Sequence, residues 1–213
     1  MSRKVIVLVG FHPSKKWSPL EEDGPKHPLL YECLDAIEKQ TRRDLIDQIH
    51  VVQNNISGVK GMIKSRNEMR EWCLSLDMDM WIVDSDTIVP SDAIEKLTSV
   101  PEDFAVVGGL YKTNRVDYSV FSRLNSDFIE IARGHKSFPL KLIHPVDEDW
   151  HEVGAVGAGC CLYRTPFLSQ IEFNTEWKGQ IYGKADDMCV CLNALEQGLR
   201  ISAHFGVRCI HKR

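Results

Sequence analysis

Two pairs of carboxylates carry the chemical interest of this sequence. Asp84 and Asp86 stand two apart in Asp84-Ser85-Asp86, directly after the apolar run Met80 to Val83. In an extended segment residues i and i+2 face the same side, so both carboxylates can reach one ion. Hard divalent cations such as Mg²⁺ and Mn²⁺ take oxygen ligands, commonly one or two carboxylates plus phosphate oxygens, which is what a nucleotide-diphosphate site needs. The bare triplet reads equally well as a solvated turn. Its flanks favour the first reading, because Trp81-Ile82-Val83 leads straight into it and Thr87-Ile88-Val89-Pro90 holds it in a defined place. Asp186 and Asp187 open a helical stretch, where backbone N–H groups stabilise negative charge. Helix capping explains one of them; a general base ionised at neutral pH is an equal account of the pair. His211 is either a neutral imidazole metal ligand or a surface histidine, and taken alone the surface reading has the better claim.

The elements that position these residues follow from periodicity. Lys4 to Val9 is a continuous β-branched run, as a strand buried on both faces requires. Phe11 to His27, with three prolines and mixed charge, is expected to be a loop. Leu30, Cys33, Leu34 and Ile37 mark an amphipathic helix after Pro28, a strand runs from Ile49 to Val52, and Met62, Met69, Trp72, Cys73 and Leu76 form the next helical stripe. Met80 to Val83 is a strand ending at Asp84. Ser91 or Asp92 is expected to cap a short helix through Leu97, and Phe104 to Val107 is a strand closed by Gly108-Gly109. Leu110 to Val153 shows little periodicity beyond a weak strand at Phe128 to Ala132. Gly154 to Tyr163 reads as one strand of small residues, Met188, Cys191, Leu192 and Leu195 as a helix ended by Gly198, and Ile201 to Ile210 as a final strand delivering His211. Alternating strands and helices of this length predict an α/β fold, a parallel sheet with ligands beyond the carboxyl ends of its strands.

Composition bounds the function. With 213 residues, 43% apolar and 26% charged, the chain is an ordinary globular protein with one economical core, and disorder or a coiled coil is a poor starting point. A net charge of -4 offers no long-range attraction for nucleic acid or an anionic membrane. Val5 to Phe11 is too short to span a bilayer and lacks a signal-peptide cleavage pattern, so a cytoplasmic protein without an integral membrane segment is expected. Seven cysteines, an odd number with no Cys-x-x-Cys pair, fit reduced buried thiols better than disulfides or a zinc cluster.

In order along the chain stand Ser65-Arg66-Asn67, Trp81-Ile82-Val83-Asp84-Ser85-Asp86, Val106-Val107-Gly108-Gly109, Gly157-Ala158-Gly159-Cys160-Cys161-Leu162-Tyr163-Arg164, Asp186-Asp187 before a helix, and a strand ending in His211. This series resembles the nucleotide-sugar glycosyltransferases of the GT-A fold, nearest the family-2-like group, over nearly the whole chain. The resemblance implies a single compact domain, residues 1–213, with a Rossmann-like, mostly parallel sheet flanked by helices. Residues 1–109 would form the nucleotide-sugar-binding half and 110–213 the acceptor-binding and catalytic half. It implies a divalent ion, Mn²⁺ or Mg²⁺, held by Asp84, Asp86 and His211, with Asp84 also binding the ribose and the ion stabilising the departing diphosphate. Asp187, with Asp186 beside it, would be the catalytic base toward the acceptor hydroxyl. Arg66 would contact the diphosphate of a UDP- or GDP-sugar, although a salt-bridged helix arginine is an equal account. Asn54 stands where such enzymes place the aspartate that reads the base. No Gln-x-x-Arg-Trp motif is present, so transfer of one sugar per encounter is expected. Trp150, Trp177 and Tyr182 are candidates to stack on an acceptor sugar, with core packing the alternative.

Two rivals differ in class. Strand-Asp84-Ser85-Asp86-Thr87-Ile88 also resembles the nucleophile motif of haloacid-dehalogenase-like phosphohydrolases, but that nucleophile normally ends the first strand. A non-enzymatic sugar- or nucleotide-binding protein on a decayed transferase fold would have lost carboxylates, and all four are present.

Overall fold

The computed structural model describes residues 3–11, 28–53, 59–112, 120–123, 140–142, 147–181 and 186–212. Its elements, in chain order, are β1 (Val5–Phe11), α1 (Pro28–Glu38), β2 (Ile46–Gln53), α2 (Val59–Leu76), β3 (Asp79–Asp84), β4 (Thr87–Ile88), α3 (Ala93–Ser99), β5 (Phe104–Leu110), β6 (Val120–Arg123), β7 (Leu140–Leu142), β8 (Trp150–Glu152), β9 (Ala155–Val156), β10 (Cys160–Tyr163), α4 (Thr165–Leu168), β11 (Glu176–Trp177), β12 (Gln180–Ile181), α5 (Asp186–Glu196), β13 (Arg200–Arg208) and β14 (Ile210–His211).

The β-branched run of β1 is apolar on both faces because both faces are covered. Val5, Val7 and Val9 join one buried cluster with Leu30, Cys33 and Ile37 of α1 and with Ile94 and Leu97 of α3. Ile6 and Leu8 join the opposite cluster with Met69 and Cys73 of α2 and the inner side of α5. Between these layers lies a seven-stranded sheet in the order β2-β1-β3-β10-β5-β13-β8. β2, β1 and β3 are parallel, β5 and β13 run the same way, and β10, paired antiparallel to both β3 and β5, is inserted between them. β8 closes the far edge, antiparallel to β13. The expected mostly parallel α/β architecture is therefore present, with two antiparallel strands from the second half of the chain. Smaller pairings join β4 to β14, β11 to β12, and β6 to both β7 and β9.

Several local expectations are corrected. β2 begins three residues earlier than its apolar run: as the edge strand it tolerates Gln48 in its pairing with β1 and Asp47 in the irregularity beside it. The buried residues of α2 are Gly61, Ser65, Arg66, Met69 and Cys73, while Leu76 is exposed. Gly108 and Gly109 do not close β5; the strand continues through them to Leu110. A Cβ on Gly108 would lie 2.5 Å from that of Val156, so the glycine admits β9 against the sheet. Gly154 to Tyr163 is two strands, β9 and β10, in different sheets, broken by a turn at residues 158–159. The final run is likewise divided into β13 and β14. Asp92 sits at the N-cap of α3 without a capping hydrogen bond and instead pairs with Lys96 at 2.8 Å. The cap comes from buried Gln40, whose Oε1 accepts the Ile94 N–H at 3.0 Å while its Nε2 donates to the carbonyls of Ala36 and Pro90. The expected loop over residues 12–27 and the weak strand over 128–132 lie outside the described residues. All seven cysteines are free and buried, and among the described residues no helix is long and apolar enough to cross a membrane.

Candidate active site

Asp84 ends β3 at the carboxyl edge of the sheet, where three neighbours fix its backbone. Its N–H donates to the Gly159 carbonyl at 3.0 Å, the next N–H, of Ser85, donates to Gly10 at the end of β1, and the Cys33 thiol of α1 lies 3.6 Å from its carbonyl. The close approach of the chain before β10 depends on Gly159. A Cβ there would fall 2.9 Å from the Tyr111 ring and 3.3 Å from Asp84 Oδ2. The Tyr111 hydroxyl accepts the Gly159 N–H at 3.2 Å, and the Tyr111 ring meets His211 edge-on with centroids 5.4 Å apart.

Asp86 and His211 are brought together by backbone pairing. Ile210 and His211 pair antiparallel with Ile88 and Thr87, and the Lys212 N–H donates to the Asp86 carbonyl at 2.8 Å. Lys212 Nζ also contacts Glu32 of α1. The imidazole then has Nδ1 3.0 Å from the Lys112 carbonyl and Nε2 3.2 Å from Asp86 Oδ2. Both ring nitrogens face acceptors, and a neutral imidazole has one N–H. If Nδ1 donates to the carbonyl, a cation is required at Nε2, either a proton or a metal ion. A metal-bound histidine is commonly held in this way, donating its other N–H to a backbone carbonyl. The separation suits an ion too: two adjacent ligands of an octahedral ion with bonds of about 2.1 Å lie about 3 Å apart.

The expectation that Asp84 and Asp86 share one face is corrected. The chain turns at Ser85 and Asp86 instead of staying extended, so Asp86 faces His211 while Asp84 Oδ1 faces Arg66 Nη2 at 3.4 Å. Among the described residues no three histidine, cysteine or acidic side chains converge on a point that could hold an ion. The donor set that fits one is Asp86 with His211, with Asp84 beside them and its Oδ2 directed toward Gly159.

Arg66 joins the two acidic pairs. Its guanidinium is buried in α2, with Nη1 on Asp186 and Nη2 on Asp84, the salt-bridged helix arginine that was the second of its two readings. Asp186 lies in the first turn of α5, but its buried carboxylate is spent on Arg66 and not on capping. Asp187 accepts the N–H of Met188 at 2.9 Å. Burial, and next the charge of Asp186, push the Asp187 carboxyl up from 3.8 to about 7, against the pull of the Met188 N–H and Arg66. Asp84 is also raised, by burial first, with Arg66 opposing and Asp86 adding to the rise. Asn67 serves the scaffold: it exchanges hydrogen bonds with the backbone of Phe173 in both directions, at 2.8 and 3.0 Å.

The aromatic candidates are placed elsewhere. Trp177 is a core residue, 4% exposed, with its indole N–H on Glu196 at the far end of α5, which leaves no ring face for a sugar. Trp150 is partly exposed on the edge strand β8, but its ring packs edge-on against Phe104 at the start of β5, toward the opposite end from Asp84. Asn54 and Tyr182 lie outside the described residues. Sequence reasoning missed Tyr111, which follows directly on the Gly108-Gly109 strand; its position at the carboxyl end of β5 was the available signal.

Comparison with known proteins bears on the family and the fold. The sequence profile described as glycosyltransferase like family 2 matches residues 31–213. The chain is similar in structure to A197 from STIV, at TM-score 0.59 and 15% identity over 99% of this chain and 86% of that one. It is also similar to GalNAc-T7, crystallised with UDP, GalNAc and Mn²⁺, at TM-score 0.64 and 11% identity over 99% of this chain and 44% of that one. Comparison with curated proteins gives no sequence match. A match over most of the chain, to a profile whose fold these neighbours share, leaves the phosphohydrolase reading without support: the chain belongs to the family-2-like glycosyltransferases and has the GT-A fold.

Proposed function

We propose that this protein is a divalent-metal-dependent glycosyltransferase that moves one sugar per encounter, of hexose type, from a UDP- or GDP-sugar to an acceptor hydroxyl. The observation that carries the reading is the Asp86–His211 pair, a carboxylate and an imidazole held 3.2 Å apart at the carboxyl edge of the sheet, as two adjacent ligands of one ion would be. Asp86 and His211 would hold Mn²⁺ or Mg²⁺, with Asp84 beside them. When bound, that ion supplies the positive charge which a departing diphosphate needs and which a chain of net charge -4 does not. The neighbour GalNAc-T7 holds UDP, GalNAc and Mn²⁺ on the same fold.

The chain's own groups have distinct tasks in this reading. Asp187 takes the proton of the acceptor hydroxyl; a carboxyl raised to about 7 is well matched to that transfer near neutral pH. Asp186, held by Arg66, fixes the start of α5 so that Asp187 keeps its place. The half up to residue 109 would bind the donor, with Asn54 reading the base, and the remainder would bind the acceptor, Tyr182 being the aromatic candidate still open. Seven free thiols favour a reducing compartment such as the cytoplasm.

Thermal shift with UDP- and GDP-sugars, with and without Mn²⁺, tests the proposal. Saturation at about a hundred times Kd adds roughly 2.7 kcal/mol to stability, or roughly 5–10 °C for a chain of this size. The shift is expected to require the metal and to vanish in Asp86→Ala. No metal-dependent shift with either nucleotide class overturns it.

A further inference from the structure

Tyr111 is the residue at the site to which the proposed reaction gives no task. It follows β5 at the carboxyl edge of the sheet and is 8% exposed. Its ring lies edge-on to His211, and its hydroxyl accepts the Gly159 N–H at 3.2 Å. A phenol both accepts and donates. Here the accepting side is used, while among the described residues no group takes the proton; buried polar groups are ordinarily paired. Burial, and next the charges of Asp187 and Asp84, push the phenol well above its usual range, so both carboxylates neighbour a hydroxyl that keeps its proton. Gly159 sets the space around it. A Cβ there would lie 2.9 Å from Cε1 and Cζ of Tyr111 and 3.3 Å from Asp84 Oδ2, so the glycine leaves a gap with the phenol on one side and the carboxylate on the other.

We propose that Tyr111 is a substrate-binding residue whose O–H donates to a hydroxyl of the sugar being transferred, while a neighbouring carboxylate accepts that hydroxyl's own proton. This rests on the transferase reading above and requires no ion on Asp84. The surroundings of the phenol select the class of ligand. A phosphate oxygen can accept from Tyr111, but phosphate only accepts and would meet the negative charges of Asp84 and Asp187. An alcohol accepts from the phenol and donates to a carboxylate at the same place. Tyr111 touches His211 on one side and neighbours Asp187 on the other. It therefore faces what lies between the diphosphate and the base, which is the sugar in transit.

The test is calorimetric binding to the full chain with Mn²⁺ present, comparing UDP-glucose with UDP and GDP-mannose with GDP. Tyr111→Phe keeps the ring against His211 and removes the hydroxyl alone. It is expected to weaken binding of the nucleotide sugar roughly 3–10-fold, the range of one neutral hydrogen bond, and to leave the sugar-free nucleotide unchanged. Analogues of the bound nucleotide sugar, each lacking one hydroxyl, give a second readout. One of them should bind the wild type more weakly than its parent, and in Tyr111→Phe that difference should close. A scaffold role, in which Tyr111 only supports Gly159 and through it the backbone of Asp84, predicts equal weakening with and without the sugar. Equal losses, or unchanged affinity for the nucleotide sugar, overturn the inference. If Tyr111→Phe does not fold, the wild-type analogues decide: one hydroxyl whose loss weakens binding supports the inference, and none overturns it. Failure of the wild-type chain to bind any of these nucleotides is a separate result, which overturns the donor reading and this assignment with it.

Discussion

Asp187 should destabilise the protein at the pH where it works, and Asp187→Asn should expose that cost. The carboxyl is raised from 3.8 to about 7, chiefly by burial. Between those values the folded state keeps a proton that the unfolded state has released, so this group's effect is to lower stability as pH rises, with the loss complete above the folded value. Between pH 5 and pH 8 about two pH units of that shift are traversed, a ceiling of about 3 kcal/mol at ~1.4 kcal/mol per unit. Asp187 is half-buried, and water on its open side returns part of the cost, which leaves ~1–2 kcal/mol. An asparagine keeps an oxygen for the Met188 N–H and cannot ionise, so the hydrogen bond survives while the charge does not. Thermal melts of both proteins across pH 5–8 are the assay. The variant's advantage in Tm is expected to widen toward pH 8 by roughly 2–8 °C, while donor turnover falls. A difference in Tm that is constant with pH, or that shifts in favour of the wild type as pH rises, refutes the reasoning.

Three further outcomes follow from the geometry. Gly159→Ala forces a methyl to within 2.9 Å of Tyr111 and 3.3 Å of Asp84, and is expected to cost about 1–3 kcal/mol in denaturant unfolding and to weaken Mn²⁺ binding along with it. Gln40→Ala strands the Ile94 N–H and the carbonyls of Ala36 and Pro90; urea unfolding should show a loss of about 1–3 kcal/mol. His211→Ala should lower Mn²⁺ affinity by about tenfold or more, and equal affinity would remove His211 from the ion's shell.

Much of the layout was legible because it depends on local patterns. The unbroken β-branched run of β1 announced a strand covered on both faces, and the carboxylates at the end of β3 fell where an α/β sheet gathers its ligands. What escaped was set by partners far along the chain. Gln40 caps a helix more than fifty residues away, and no spacing rule reaches that far. Arg66 falls within its helix's own apolar stripe, four after Met62 and three before Met69, but the carboxylates that hold it there come from α5 and β3, far along the chain. The paired faces of Asp84 and Asp86 were inferred from extended geometry, which the turn at Ser85 breaks. Trp177 took the second of its two readings, core packing with its one polar atom satisfied.

The insertion of β10 between β3 and β5 has a consequence for the order in which the chain can assemble. β5 pairs with no strand that precedes it: its two neighbours are residues 160–163 and 200–208. Every residue of Phe104–Leu110 is buried in the finished sheet and none is charged. At a synthesis rate of about 5–20 residues per second, the fifty-residue interval before β10 keeps this apolar segment without a partner for roughly 3–10 s. Uncharged β-forming segments left open in this way are the ones that pair wrongly with other chains. Yield in expression should therefore respond to temperature and chaperone supply more than the stability of the finished fold suggests, and chains cut short before Cys160 should collect in aggregates.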